Sequence, residues 1–290
     1  MRPMNAEYYL QVSCPDRAGL IAAITGAVAS EGGNILDLRQ HTAADIDSFF
    51  LVALFAIDLG SRSPQGFESG FGSRFSELAR ERSLQWELCP KARRRRVAIL
   101  VSKTSHCLYE LLLKRDEGEL DCDFPLVIGN HPDLEPAAAR FGIPFRLVES
   151  GSGKAASEAR IQALLEEYRV DLLVLARYMQ ILSPEFSALW RERIINIHHG
   201  FLPAFKGAKP YHQAWQKGVK LIGATAHFVT EDLDQGPIIA QDVLRVPDSA
   251  SVAQFIRMGK DIERKVLVEA LSRYLSHAVF IKNGRTFTLG

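Results

Sequence analysis

The sequence predicts an α/β protein in two parts, an N-terminal ferredoxin-like βαββαβ unit followed by a doubly wound sheet that is mainly parallel. Three observations lead there. The strand and helix signals of residues 1–88 follow the order βαββαβ. Beyond residue 96, continuous apolar runs alternate with helical periodicity, the pattern of parallel strands buried on both faces. Between the two patterns stand Pro90 and the basic run Arg93, Arg94, Arg95 and Arg96, read as a solvated linker. A chain of 290 residues exceeds the usual size of one domain, so two separate cores are expected. The expected boundaries are 1–88, a linker over 89–96, and 97–290.

In chain order, residues 8–12 read as a strand and 20–29 as a helix, entered through Pro15 and Asp16 and closed by Gly32 and Gly33. Residues 34–40 and 49–57 read as strands, 75–82 as a helix and 84–88 as a strand. In the second part, 97–101, 125–128 and 172–176 are short apolar runs of buried-strand type. Ile161, Leu164, Leu165 and Tyr168 recur at helical spacing between the last two. Residues 224–229 and 238–246 resemble added edge strands bracketing a loop at Asp234. A long helix through Ile262, Val266, Ala270 and Tyr274 precedes a hairpin turning at Asn283-Gly284. In such a sheet, ligands sit beyond the carboxyl ends of the strands, where residues 196–198 are expected to lie.

Net charge +1 with 24% charged residues makes no broad electrostatic case for nucleic acid or membrane. No apolar run approaches the roughly 20 residues of a membrane-spanning helix. Cys14, Cys89, Cys107 and Cys122 show no paired metal spacing, and no signal core opens the chain, so a reducing cytoplasm is expected.

Chemistry concentrates at Asn196-Ile197-His198 and Leu233-Asp234-Gln235-Gly236-Pro237. Alternation along a strand sends Asn196 and His198 to one side. An amide and a protonatable imidazole are suitable donors for the negative charge that develops on a carbonyl oxygen under attack. A carboxylate such as Asp234 beside the imidazole either takes a proton or keeps the imidazole charged, and a coupled pair titrates jointly, which leaves both roles open.

Residues 170–182 (VDLLVLARYMQIL), 195–203 (INIHHGFLP) and 226–238 (AHFVTEDLDQGPI) resemble, in order and spacing, the folate-dependent formyltransferase and hydrolase family. Residues 201–213 (FLPAFKGAKPYHQ) and 222–227 (IGATAH) are similar to its hydrolytic branch, which acts on 10-formyltetrahydrofolate. Residues 14–21 (CPDRAGLI) resemble ACT domains, which that branch carries at its N-terminus.

The resemblance implies a hydrolase that converts 10-formyltetrahydrofolate and water to formate and tetrahydrofolate, balancing one-carbon pools and supplying formate for purine synthesis. It implies Asn196 and His198 at the oxyanion and Asp234 orienting water. It places the pterin between Arg177, Tyr178, Met179, Gln180, Ile181 and Leu182 and the loop Val229, Thr230, Glu231 and Asp232, with His199 beside the catalytic group. Met179, Ile181 and Leu182 also read as plain pocket wall, and His199 and His227 as packed imidazoles. The first strand turn, residues 101–107 (VSKTSHC), lacks the glycines with which a transferase would cradle a phosphorylated amine. Two alternatives stand beside hydrolysis, formyl transfer to an amine and a non-catalytic amino-acid sensor that binds folate. One departure is Gly200, where the branch usually has serine. Beyond the folate substrate no cofactor and no metal are expected, since no third ligand has metal spacing. A homo-oligomer, dimer or tetramer, and an amino-acid effector at the ACT half are expected.

Overall fold

The computed structural model describes residues 5–204 and 210–290. Thirteen strands and eight helices are found among them, with β1 at Asn5–Cys14, α1 at Leu20–Ser30, β2 at Asn34–Ala43, β3 at Ser48–Asp58, α2 at Pro64–Arg82 and β4 at Gln85–Pro90. They build an antiparallel sheet of order β2-β3-β1-β4, the βαββαβ unit expected. The uninterrupted apolar run of β3 reflects two covered faces. Phe49, Leu51, Ala53, Phe55 and Ile57 face the helices, joined by Phe67, Phe71 and Phe75, while Phe50 and Val52 face the other way. Helix α2 starts eleven residues before the expected 75, because Ser63 caps it by accepting from the Gly66 amide and Pro64 occupies the first turn. Its three glycines hid a buried stripe at every fourth residue, Phe67, Phe71, Phe75 and Ala79.

The second sheet uses β5 at Arg95–Val101, β6 at Cys122–Gly129, β7 at Phe145–Leu147, β8 at Leu172–Leu175, β9 at Ile194–His198, β10 at Leu221–Phe228 and β11 at Ile238–Arg245. Helices α3 at His106–Asp116, α4 at Glu135–Arg140, α5 at Lys154–Glu167, α6 at Pro184–Leu189, α7 at Pro210–Gln216 and α8 at Val252–Leu275 accompany them. The strand order is β11-β10-β9-β8-β5-β6-β7, with β7, β6, β5, β8 and β9 parallel and β10 antiparallel to both of its neighbours. Strand β10 is therefore internal, not the edge strand expected; β11 alone of the pair is an edge. A final hairpin joins β12 at Val279–Lys282 to β13 at Arg285–Thr288 through Asn283 and Gly284, both left-handed.

Two boundaries move. The linker expected over 89–96 shortens, since Pro90 still pairs with Tyr8, and Arg95 and Arg96 already pair with Cys122 and Asp123. The Arg96 amide donates to Asp171 Oδ2 at 2.8 Å and its Nε to the Tyr168 carbonyl at 2.9 Å. The chain divides into one compact unit of Met1–Arg94, Ser276–Phe280 and Phe287–Gly290, and another of Arg95–Leu275 and Ile281–Thr286. Thus part of the terminal hairpin, expected with the second unit, belongs to the first, where Ala278, Phe280, Phe287 and Leu289 cover Ala43, Phe50 and Val52. No helix among the described residues is long and apolar enough to cross a membrane.

Candidate active site

The site lies in the second unit, at the carboxyl ends of β8 and β9 and under the loop that follows β10. Alternation along β9 places Asn196 and His198 on one side, and antiparallel pairing with β10 sets His227 opposite Asn196 and Thr225 opposite His198. The loop carrying Asp234 is folded back on its own stem, as the Phe228 amide donates to the Pro237 carbonyl at 2.9 Å and the Val229 amide to Ile194 at 2.9 Å. Gly236 makes this return feasible: a Cβ there would stand 1.7 Å from the Phe228 carbonyl oxygen. Asp234 itself takes a left-handed backbone, φ 56°, at the apex of the fold-back.

This brings Asp234 Oδ2 to 3.2 Å from His198 Nδ1 and Asp234 Oδ1 to 3.7 Å from His227 Nε2. Burial alone would raise the Asp234 carboxyl, but hydrogen bonding by His198, with a smaller share from His227, outweighs it and holds the group well below the ordinary carboxylate range. His227 Nδ1–H donates to the Phe228 carbonyl at 2.8 Å, and its Nε2 lies 3.2 Å from Asn196 Nδ2. Asn196 is the nearer partner of Nε2, so a neutral His227 ring accepts one amide N–H and leaves the second for a ligand. His198 Nε2 is buried with no hydrogen-bond partner among the described residues. It is a donor or acceptor held in reserve.

All of these groups line a cavity of about 340 Å³. Its wall is made by Leu175, Arg177, Tyr178, Met179, Gln180, Ile181, Leu182, Ser187, Asn196, Ile197, His198, His199, His227 and the stretch 229–234. Every residue singled out from sequence as catalytic or folate-binding, Asn196, His198, Asp234, Arg177 to Leu182, His199 and Val229 to Asp232, is on that wall. Tyr178 and Leu182 are buried, whereas Met179 and Ile181 are 58% and 62% exposed, apolar side chains open to a flat ring. The motif over 201–213 is described only in part, since 205–209 lie outside the described residues.

Behind His199 lies a second polar group that sequence reasoning missed. Glu263, 1% exposed on α8, accepts from Tyr211 Oη at 2.7 Å, bonds His106 Nε2 at 2.9 Å and stands 3.5 Å from Arg177 Nε. Burial raises its carboxyl, but the His106 hydrogen bond, the Arg177 charge and Tyr211 together lower it. A glutamate within the stripe Phe255, Gly259, Ile262, Val266 and Ala270 was the available signal, because a charge on the buried face of a helix requires partners. Gly259, one turn before it, makes room for Tyr211, whose ring a Cβ would meet at 2.1 Å. His227 was the other residue missed as a participant; read singly it is a packed imidazole, and only the β9–β10 register pairs it with Asn196.

Two groups among the described residues bring possible metal ligands together, Glu87 with Cys89 and His277, and His106 with Cys107 and Glu263. Neither contains Asn196, His198 or Asp234. Burial pushes the Cys107 thiol far up, which favours the neutral form over the thiolate a metal needs.

Comparison with known proteins gives one consistent family. The formyl transferase model matches residues 95–271 and the ACT domain model residues 8–61. The chain is 42% identical over 283 residues to a formyltetrahydrofolate deformylase of Synechocystis sp., covering 97% of this chain and 98% of that protein. It is 40% identical over 278 residues to that of Bacillus subtilis, covering 96% and 92%. Among solved structures, a formyltetrahydrofolate deformylase from Pseudomonas syringae pv. tomato superposes with a TM-score of 0.92 at 38% identity, covering 100% of this chain and 96% of the other. A glycinamide ribonucleotide transformylase 1 from Symbiobacterium toebii matches with a TM-score of 0.65 at 31% identity, over 68% of this chain and 95% of its own.

Proposed function

We infer that this chain, which belongs to the formyltetrahydrofolate deformylase family, hydrolyses 10-formyltetrahydrofolate to formate and tetrahydrofolate with Asn196, His198 and Asp234 as its catalytic group. The observation that carries the assignment of residues is the Asp234–His198 pair at 3.2 Å, with the buried His198 Nε2 unpartnered among the described residues, beside the Asn196 amide in one cavity. Asp234 accepts the Nδ1 proton of His198, so Nε2 becomes a donor when the ring carries its second proton. The free N–H of Asn196 adds a second donor. Two fixed donors stabilise the oxyanion that forms when water attacks the formyl carbon.

Of the two roles left open above, the geometry supports that of a partner charge to His198. Both oxygens of the Asp234 carboxylate face imidazole nitrogens, His198 Nδ1 at 3.2 Å and His227 Nε2 at 3.7 Å, so Asp234 acts as the fixed negative partner of His198. The folate ring is held by Arg177 to Leu182 and Val229 to Asp232, with exposed Met179, Ile181 and Leu233 as apolar surface for it. The N-terminal unit, with its ACT domain, acts as a regulatory half that binds a small amino acid and joins subunits into a homo-oligomer. A soluble cytoplasmic setting, and a reaction that runs without metal, complete the proposal.

Formate release from 10-formyltetrahydrofolate, measured alone and with candidate amines, tests this reading. Release independent of amine supports hydrolysis; release that appears only with an amine assigns the chain to formyl transfer, and binding without release makes it a sensor.

A further inference from the structure

We propose that His199 is a further catalytic group of this site, the imidazole that takes the proton of the attacking water and delivers it to the departing folate nitrogen. The proposal rests on the hydrolytic reading above. With Asp234 occupied as the partner of His198 and with His198 and Asn196 facing the oxyanion, that reading leaves the water without a proton acceptor. His199 is the remaining imidazole on the cavity wall that has no ring hydrogen bond among the described residues. Its ring centroid is 5.4 Å from that of His198, which places it beside the oxyanion donors.

The ring is also held. Tyr211 meets it edge to face at 6.0 Å, and Tyr211 is fixed by its hydroxyl on Glu263 and by the slot over Gly259. Burial, and then the nearby Arg177 charge, push the His199 imidazole down to about 3, so in the resting enzyme it is a neutral acceptor. Negative charge growing on the formyl oxygen offsets that penalty as water attacks. The steps balance: the water oxygen bonds to the formyl carbon while one of its protons passes to His199, and the imidazolium formed then protonates the nitrogen as the carbon–nitrogen bond breaks. The remaining hydroxyl becomes formic acid, which loses its proton to solvent.

The test is His199→Ala and His199→Gln in the full chain, assayed for formate release in parallel with Asp234→Asn, with tetrahydrofolate binding followed by tryptophan fluorescence. Loss of a proton-transfer group is expected to lower kcat about 10²–10⁴-fold with folate affinity unchanged. Added imidazole should restore at least part of the turnover of His199→Ala and none of that of Asp234→Asn. His199→Gln, close in volume and still an acceptor, keeps the test usable should the alanine variant not fold. Near wild-type kcat in a folded His199 variant overturns the proposal, as does a loss in His199→Ala that imidazole leaves untouched, which would make the ring a packing partner of Tyr211 only. If Asp234→Asn also keeps wild-type turnover, the reading of the whole site fails instead.

Discussion

Replacing Asp234 by Asn isolates the charge that organises this site, because the two side chains share a shape. Asp234 Oδ2 lies 3.2 Å from His198 Nδ1, and a unit charge pair at that separation attracts with about 5 kcal/mol at an effective dielectric constant of about 20. The asparagine oxygen keeps the hydrogen bond to Nδ1 and loses most of the charge term. Since about 1.4 kcal/mol is tenfold in rate, the charge term alone sets an upper limit near 10⁴-fold, and a fall in kcat of about 10²–10⁴-fold is expected. KM should move little, because the folate wall at 177–182 is untouched. Steady-state formate release with purified Asp234→Asn, alongside tetrahydrofolate binding, reads both. Turnover within threefold of wild type in a variant that binds folate would remove Asp234 from the mechanism.

Three more outcomes follow from the same geometry. Asn196→Ala should cost about 2.7–4 kcal/mol of barrier, seen in kcat and not in KM, because the amide bond strengthens only as the oxyanion forms; a change in KM alone would make Asn196 a ground-state contact. Gly236→Ala must shift the loop, since its Cβ would sit 1.7 Å from the Phe228 carbonyl, so it should lower stability by about 1–3 kcal/mol and displace Asp234; an unchanged urea midpoint with full activity would refute the fold-back argument. His199 stays neutral in the folded protein down to about 3, whereas an unfolded histidine binds its proton below about 6.5. The unfolded state then holds more protons between those values, so stability falls as pH falls through that window, by at most about 1.4 kcal/mol per pH unit, and is complete above it. His199→Gln should flatten that slope in urea titrations, and equal slopes in both proteins would count against a neutral, half-buried ring.

Much of the architecture was legible because local patterns and tertiary environment agree. The runs at 97–101 and 172–176 are apolar throughout since both faces of those strands are covered, and β3 reads the same way for the same reason. Helix α2 was cut short because Gly66, Gly70 and Gly72 mask its periodicity, while the Ser63 cap that starts it depends on geometry. Strand β10 was taken as an edge because a run of residues carries no mark of how many neighbours it has. The hairpin around Asn283-Gly284 was found, but its apolar side could cover either sheet and only packing shows that Phe280 and Phe287 meet Phe50. At the site, Asn196, His198 and Asp234 stood out because motif and chemistry coincide. His227 and Glu263 did not, since their roles come from a strand register and from contacts across more than a hundred residues, as between His106 and Glu263.

The measurement closest to the central claim is hydrolysis of 10-formyltetrahydrofolate in ¹⁸O-enriched water, in a single turnover, with mass analysis of the formate and with glycinamide ribonucleotide present as a competing amine. Attack by water at the formyl carbon predicts formate carrying one solvent oxygen and no formylated amine. Formate without solvent oxygen, or label-free transfer of the formyl group to the amine, would contradict the account.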